Sequence, residues 1–285
     1  MGQPVDPDQQ TPQHPTRKQQ CAEFLQWALP ELRLRRRGYD GVRNQVCKRL
    51  FRRINQLGIE DLTAYRRYLD THPHEWQTLD ALSRVSISRF YRDRAVFDYL
   101  AATVLPELAQ RARTRGADCL NIWCAGAGAG EEPYTLAIIW ELHLCAAFPD
   151  LQINIVASDA DANLCRRGQE ACYPSRMFRD MPTEWQDTVL SVQDGYCRLN
   201  QNIRRHVEFR VEDLRTSVPN GPFDLVLCRN LAFTYFSTAL QRSTLEHLQA
   251  AMNPGAALVL GIHEHLPEGR SAFHPWAENL RIYRL

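Results

Sequence analysis

The chain has 285 residues, 44% hydrophobic and 24% charged, and its 34 Lys and Arg nearly cancel 33 Asp and Glu to leave a net charge of +1. That length accommodates one large domain and a small one, and the balance excludes a disordered, collagen-like or uniformly basic chain. No apolar run reaches the length of a membrane span, no signal-peptide core opens the sequence, and nine cysteines without a C-x-x-C pair argue against zinc and a disulfide framework, so a reducing cytoplasm is the expected compartment.

Residues 1–19, rich in Pro and Gln, lack hydrophobic periodicity and are expected to form a disordered tail. Residues 20–100 read as a helical domain with its linker. Leu57-Gly58 marks a helix end there, and Asp61 an N-cap for the next helix. Arg33, Arg35, Arg36, Arg37, Arg43, Lys48, Arg49, Arg52 and Arg53 surround a single acid, Asp40. Arg49, Arg52 and Arg53 recur on one side of a helix and fit an acidic partner. Nucleic acid would suit the same charge. A solvated face is the plain alternative in a chain whose only lysines are Lys18 and Lys48. A helix over Val96 to Ala112 is expected to lead into the larger domain, 101–285.

Leu120 to Trp123 reads as a strand, followed by CAGAGAGEEPY over Cys124 to Tyr134 and a helical pattern over Thr135 to Cys145. Alternating Gly126, Gly128 and Gly130 would let backbone N–H groups approach a ligand, although the same alternation also makes a plain tight turn. A dinucleotide fingerprint wants G-x-G-x-x-G, and the residue three beyond Gly128 is Glu131. Glu131 and Glu132 would repel a pyrophosphate and suit the cationic groups of S-adenosylmethionine. Ile153 to Ser158 is a second strand ending in Asp159, a carboxylate placed for ribose hydroxyls, with Asp161 as the alternative. Residues 172–205, with Pro174, Pro182 and the turn Asp194-Gly195, interrupt the alternation. His206 to Val211 is strand-like and ends in Glu212-Asp213-Leu214. Phe223 to Cys228 follows, ending in Arg229-Asn230, and then an amphipathic helix over Ser237 to Met252. Ala256 to Ile262 is a further strand after the turn Asn253-Pro254-Gly255. Strands alternating with helices predict an α/β fold, Rossmann-like, with a mostly parallel sheet and helices on both faces. His263 and His265 have the i, i+2 spacing of a metal pair, but a strand-end loop is the expected reading and no metal is expected.

CAGAGAGEEPY, ASDAD (Ala157 to Asp161), FDLVLCRN (Phe223 to Asn230), NPGAALVLGIHEHL (Asn253 to Leu266) and ISRFYRD (Ile87 to Asp93) together resemble the CheR-type chemoreceptor glutamate methyltransferases, in order and spacing, from about residue 20 onward. The resemblance implies a class I methyltransferase domain using S-adenosyl-L-methionine and a small β-subdomain inserted at 172–205. It implies a substrate in an acidic, helical chemoreceptor-like protein met by the basic helix, with no nucleic acid, no membrane insertion and a monomeric enzyme. Carried over residue by residue, it implies that Ser86, Ser88, Arg92, Glu131, Asp159, Asp213, Leu214, Arg229 and Asn230 bind the cofactor and that Arg92 and Tyr235 serve at the active site. Methyl transfer to an already ionised glutamate is an in-line displacement that needs positioning and no general base. The chain departs from the family in one informative place. R-N-L-A-F-T-Y-F is one residue longer than R-N-x-x-I-Y-F, so either Thr234 or Tyr235 takes the tyrosine position. Such departures leave open a small-molecule carboxyl methyltransferase, or a docking protein with a vestigial cofactor site.

Overall fold

The computed structural model describes residues 16–269 and 272–285, so the expected tail lies outside the described residues as far as residue 15. Its last part is helical instead of disordered. Thr16 caps α1 (Arg17–Glu31) in a capping box with Gln19, which satisfies two otherwise orphaned N–H groups. The described residues form two compact units that divide between Val85 and Ser86, ahead of the expected boundary at 100/101.

The first unit contains α1, α2 (Arg43–Gln56), α3 (Leu62–Thr71) and α4 (Glu75–Ser83). The α2 helix stops as its sequence predicts, with Gly58 at φ 67, and Asp61 caps α3 by accepting from Ala64 N–H at 2.7 Å. Leu29, Val46, Leu50, Tyr65 and Leu79 fill the core. A Cys21–Cys47 disulfide joins α1 to α2, where reduced thiols were expected, and seven other cysteines are free. Helix packing, not a local spacing, brings this pair together.

The predicted arginine face is divided by its neighbours. Arg53 forms a two-pronged pair with Glu75, at 2.9 and 2.7 Å, and Glu75 also accepts from the Tyr65 hydroxyl at 2.7 Å. These donors hold the Glu75 carboxyl below its ordinary range, Arg53 first, against a burial cost. Arg49 donates to the carbonyls of Leu82 and Arg84. Of the three, Arg52 is the one that stays exposed.

The second unit opens with α5 (Arg94–Tyr99), which runs through a π turn at Leu100–Val104 into α6 (Leu105–Thr114). Phe97, Leu100, Val104, Leu105 and Leu108 from this helix lie in the core of the sheet unit, which is why the boundary precedes them. The strands are β1 (Cys119–Ala125), β2 (Gln152–Asp159), β3 (Cys172–Pro174), β4 (Leu190–Gln193), β5 (Tyr196–Leu199), β6 (Val207–Val211), β7 (Phe223–Cys228), β8 (Met252–Leu260), β9 (His274–Ala277) and β10 (Ile282–Arg284). The larger sheet has the order β6-β2-β1-β7-β8-β10-β9. Its first five strands are parallel, while β10 runs antiparallel to both β8 and β9.

The remaining helices are α7 (Glu131–Ile139), α8 (Ala162–Glu170), α9 (Thr183–Val189), α10 (Gln201–Arg204), α11 (Ala232–Tyr235) and α12 (Thr238–Ala250). Within the 172–205 segment, β3, β5 and β4 form a separate antiparallel sheet. The turn expected at Asn253-Pro254-Gly255 is carried inside β8 as an irregularity, since pairing jumps from Phe223–Met252 to Leu225–Ala257. Buried Asp224 fastens this end of the sheet by accepting from Arg115, Asn121 N–H and the Asn253 amide. Among the described residues no helix is long and apolar enough to cross a membrane.

Candidate functional site

The strand order places β1 at the point where the chain turns from one side of the sheet to the other, toward β2 and β6 in one direction and β7 and β8 in the other. In open parallel sheets, a crevice forms beyond the strand C-termini at such a point. The residues expected at the site follow the C-terminal ends of β1, β2, β6 and β7, or lie on the segment leading to α5.

The glycine loop after β1 is anchored to β2. Gly126 and Ala127 N–H both donate to the Ser158 carbonyl, at 2.8 and 3.0 Å, and Gly128 N–H donates to Asp159 Oδ2 at 2.9 Å. Asp159 Oδ1 accepts from Asp161 N–H, while Asp161 spends its own side chain capping α8. The strand-end carboxylate is therefore Asp159. Trp123, fully buried in β1, donates its indole N–H to Ser158 Oγ at 2.8 Å and packs near Phe223.

The glycines have separate reasons. At Gly126 a Cβ would strike the Leu231 side chain, and at Gly130 it would lie 2.7 Å from Phe209 Cζ. At Gly128, with φ 59, its nearest neighbours would be Ser86 Oγ at 3.6 Å and Glu131 Oε2 at 3.7 Å. Gly128 thus lies between two of the predicted ligands. Glu131 is 4% exposed and its Oε2 atom is buried with no hydrogen-bond partner. Burial raises its pKa, opposed in part by nearby backbone N–H groups and Arg167. An unpaired buried carboxylate oxygen is costly, and a cationic ligand would satisfy it.

Arg92 lies between Tyr91 and Asp93, both non-glycine residues with φ near 60. Two such neighbours are an expensive backbone arrangement, of about 1–3 kcal/mol each, and typify functional segments. Tyr91 N–H donates to Thr135 Oγ1, and that hydroxyl donates to the Glu131 carbonyl, so the Arg92 segment is tied to α7. Arg92 donates to the Ile87 carbonyl at 2.5 Å and lies 3.9 Å from Asp93. Its charge is felt by both Glu132 and Tyr235. Ser86 is exposed beside Gly128, and Ser88 is half-buried in the same extended segment.

Arg229 is placed differently from its predicted cofactor role. Its side chain is 0% exposed and bridges two carboxylates, Glu132 at 2.6 Å and Asp93 at 2.5 Å. The guanidinium also lies over Phe97. It works as a buried clamp between the end of β7, the start of α7 and the Arg92 segment. Asn230, in the left-handed region at φ 54, donates its N–H to Glu264 Oε2. Asp213 lies just beyond β6 and holds Arg215 at 2.6 Å, with Leu214 buried next to it. Glu212 N–H donates to the Asp159 carbonyl, which brings this segment beside the Asp159 end of β2.

Thr234 and Tyr235 are distinguished by their surroundings. The Thr234 hydroxyl donates to Glu264 at 2.6 Å, so it is committed to a neighbouring loop. The Tyr235 phenol feels both Arg92 and Glu264, and its pKa is raised by burial first and Glu264 second, against Arg92. Sequence reasoning missed the structural work of Glu264, Asp93 and Phe209. Glu264 was visible as the acid of Gly261-Ile262-His263-Glu264, but its partners lie on a different loop. Among the described residues no group of three or more His, Cys, Asp or Glu side chains could hold a metal, and His265 meets Arg281 instead.

Residues 86–280 match the family described as CheR methyltransferase, SAM binding domain. Chemotaxis protein methyltransferase 2 of Vibrio cholerae serotype O1 is 28% identical over 235 residues, 80% of either chain. Chemotaxis protein methyltransferase 2 of Pseudomonas aeruginosa is 30% identical over 226 residues, 77% of this chain and 78% of that one. Chemotaxis protein methyltransferase of Escherichia coli (strain K12) is 28% identical, covering 79% and 78% respectively.

Proposed function

Because the chain belongs to the CheR methyltransferase family, we propose that it methylates glutamate side-chain carboxylates of a chemoreceptor-like protein. Its cofactor is S-adenosylmethionine. The observation that carries the reading is the buried, unpaired Glu131 oxygen beside Gly128, which matches a cationic amino group. Ser86 and Ser88 would hold the methionine part together with Arg92, Asp159 the ribose, and Asp213 with Leu214 the adenine. Asn230 would contribute at the crevice edge through its side chain. Bound S-adenosylmethionine supplies an electrophilic methyl group.

The chain's own residues then have positional tasks. A glutamate acceptor has a reference pKa of about 4.3 and arrives ionised, so no residue must remove a proton. Arg92, restrained at Ile87, orients the acceptor carboxylate with its remaining N–H donors. Tyr235, kept protonated by burial, offers a hydroxyl beside it and helps exclude water. On the first unit, Arg52 is the arginine of the predicted trio free to meet an acidic receptor helix, since Arg49 and Arg53 serve internal partners.

The test is methyl transfer from labelled S-adenosylmethionine to an acidic receptor helix. Label released as methanol by mild base, and absent when acceptor glutamates are changed to alanine, supports the reading. Base-stable label, or transfer to small carboxylates with none to the helix, rejects it. Calorimetry of cofactor binding to the intact chain separates failure of the cofactor site from failure of the acceptor assignment.

A further inference from the structure

We infer that Thr234 and Glu264 form a latch that positions Tyr235, with Glu264 acting as a positioning residue. This rests on the proposed function for its catalytic meaning, but its geometry stands independently. Leu231, Ala232, Phe233 and Thr234 stand between Arg229-Asn230 and Tyr235-Phe236. In a helix, each added residue rotates the following side chain by about 100°. The helix concerned, α11, has four residues, too few to fix its own orientation. Something outside it must set where Tyr235 points.

Glu264 supplies that fixed point. It is 2% exposed and both carboxylate oxygens are occupied. Oε2 accepts from Asn230 N–H and Gly261 N–H, each at 2.7 Å, and Oε1 accepts from Thr234 Oγ1 at 2.6 Å. The first two bonds join the loop after β7 to the end of β8 through backbone donors that any sequence would offer. The third depends on a hydroxyl at 234, immediately before Tyr235. Gly261 makes the approach possible, since a Cβ there would lie 2.6 Å from Asn230 Oδ1 and 2.9 Å from Glu264 Oε2. The residue before Tyr235 is therefore held by a specific side-chain bond to the end of β8. Tyr235 N–H completes the turn by donating to the Leu231 carbonyl at 2.8 Å.

The discriminating variant is Thr234→Val, which keeps the shape and removes the hydroxyl, with Thr234→Ser as the rescue. In the full chain, Thr234→Val should lower kcat about tenfold while cofactor affinity stays within about twofold, and Thr234→Ser should restore kcat. An independent readout is the fluorine NMR signal of Tyr235 labelled as 3-fluorotyrosine. One narrow resonance is expected for the parent chain and Thr234→Ser, and a displaced or broadened one for Thr234→Val. Coincident parent and Thr234→Val resonances would overturn the latch, as would kcat and affinity falling together. If the parent chain methylates no carboxylate, the proposed function fails, whereas the fluorine spectra still decide whether Thr234 positions Tyr235.

Discussion

Burial holds the Glu131 carboxyl above its ordinary pKa of 4.5, and this has opposite consequences for folding and for binding. The folded chain then retains a proton that the unfolded chain gives up, so this group weakens stability as pH rises from about 4.5 through the raised folded value. Glu131→Gln should accordingly match the parent in urea unfolding near pH 4 and be the more stable of the two at pH 7. The same variant should bind S-adenosylmethionine about tenfold or more weakly by calorimetry, because a charged hydrogen bond is lost. A variant that is no more stable at pH 7, or that binds equally well, would show that Glu131 has another partner. Arg229 makes the contrary case. Arg229→Met leaves Glu132 and Asp93 without their shared cation and should cost about 3–5 kcal/mol, read as a lower urea midpoint. In the sequence Asp159 stands out as the acid that closes an apolar strand, and Glu131 as the first acid after the glycine loop. The internal partners of Arg229 were not legible, because they are 97 and 136 residues away in sequence.

The α2 helix illustrates how a periodic pattern locates a face without saying what the face touches. Arg52 and Arg53 are adjacent, yet Arg53 is locked onto Glu75 and Arg52 is exposed. Arg53→Ala should cost about 2 kcal/mol and increase hydrogen exchange over residues 17–83. Arg52→Ala should change stability by no more than about 0.5 kcal/mol while weakening capture of an acidic receptor helix. Exchange unaltered by Arg53→Ala would contradict the internal role. Equal receptor binding by Arg52→Ala would remove this residue from the docking proposal. Elsewhere, a strong local signal survived into the structure: Asp61 caps α3 by accepting from Ala64 N–H. A weaker one did not. Asn253-Pro254-Gly255 reads as a turn before a strand, but the pairing of Phe223 with Met252 draws the strand start ahead of it.

The alternation of β1, β2, β6, β7 and β8 with helices made the parallel sheet readable, with β7 the clearest case as a fully buried apolar run ending in polar residues. The antiparallel β9 and β10 were not readable, being four and three residues long and interrupted by a turn. The division at Val85/Ser86 falls within the span read as helical domain and linker, and was not legible for a related reason: Val96 to Ala112 is as periodic as the preceding helices, and only its burial shows which core it joins. Cofactor binding should therefore protect strand ends within residues 86–285. At a free cofactor concentration of 100 times Kd, the gain in stability should be about 2.7 kcal/mol. Hydrogen exchange measured with and without S-adenosylmethionine checks this, and protection confined to residues 17–83 would contradict the site.

Trp123 gives the molecule its own optical gauge. Its indole is sealed in the core and bonded to Ser158, whose carbonyl holds the glycine loop and whose chain neighbour is Asp159. Any occupant that pulls on that loop alters the surroundings of a fluorophore that solvent does not reach. Cofactor loading should thus be readable from emission without a label, and replacing Trp123 by Phe should silence the response while the other five tryptophans continue to emit.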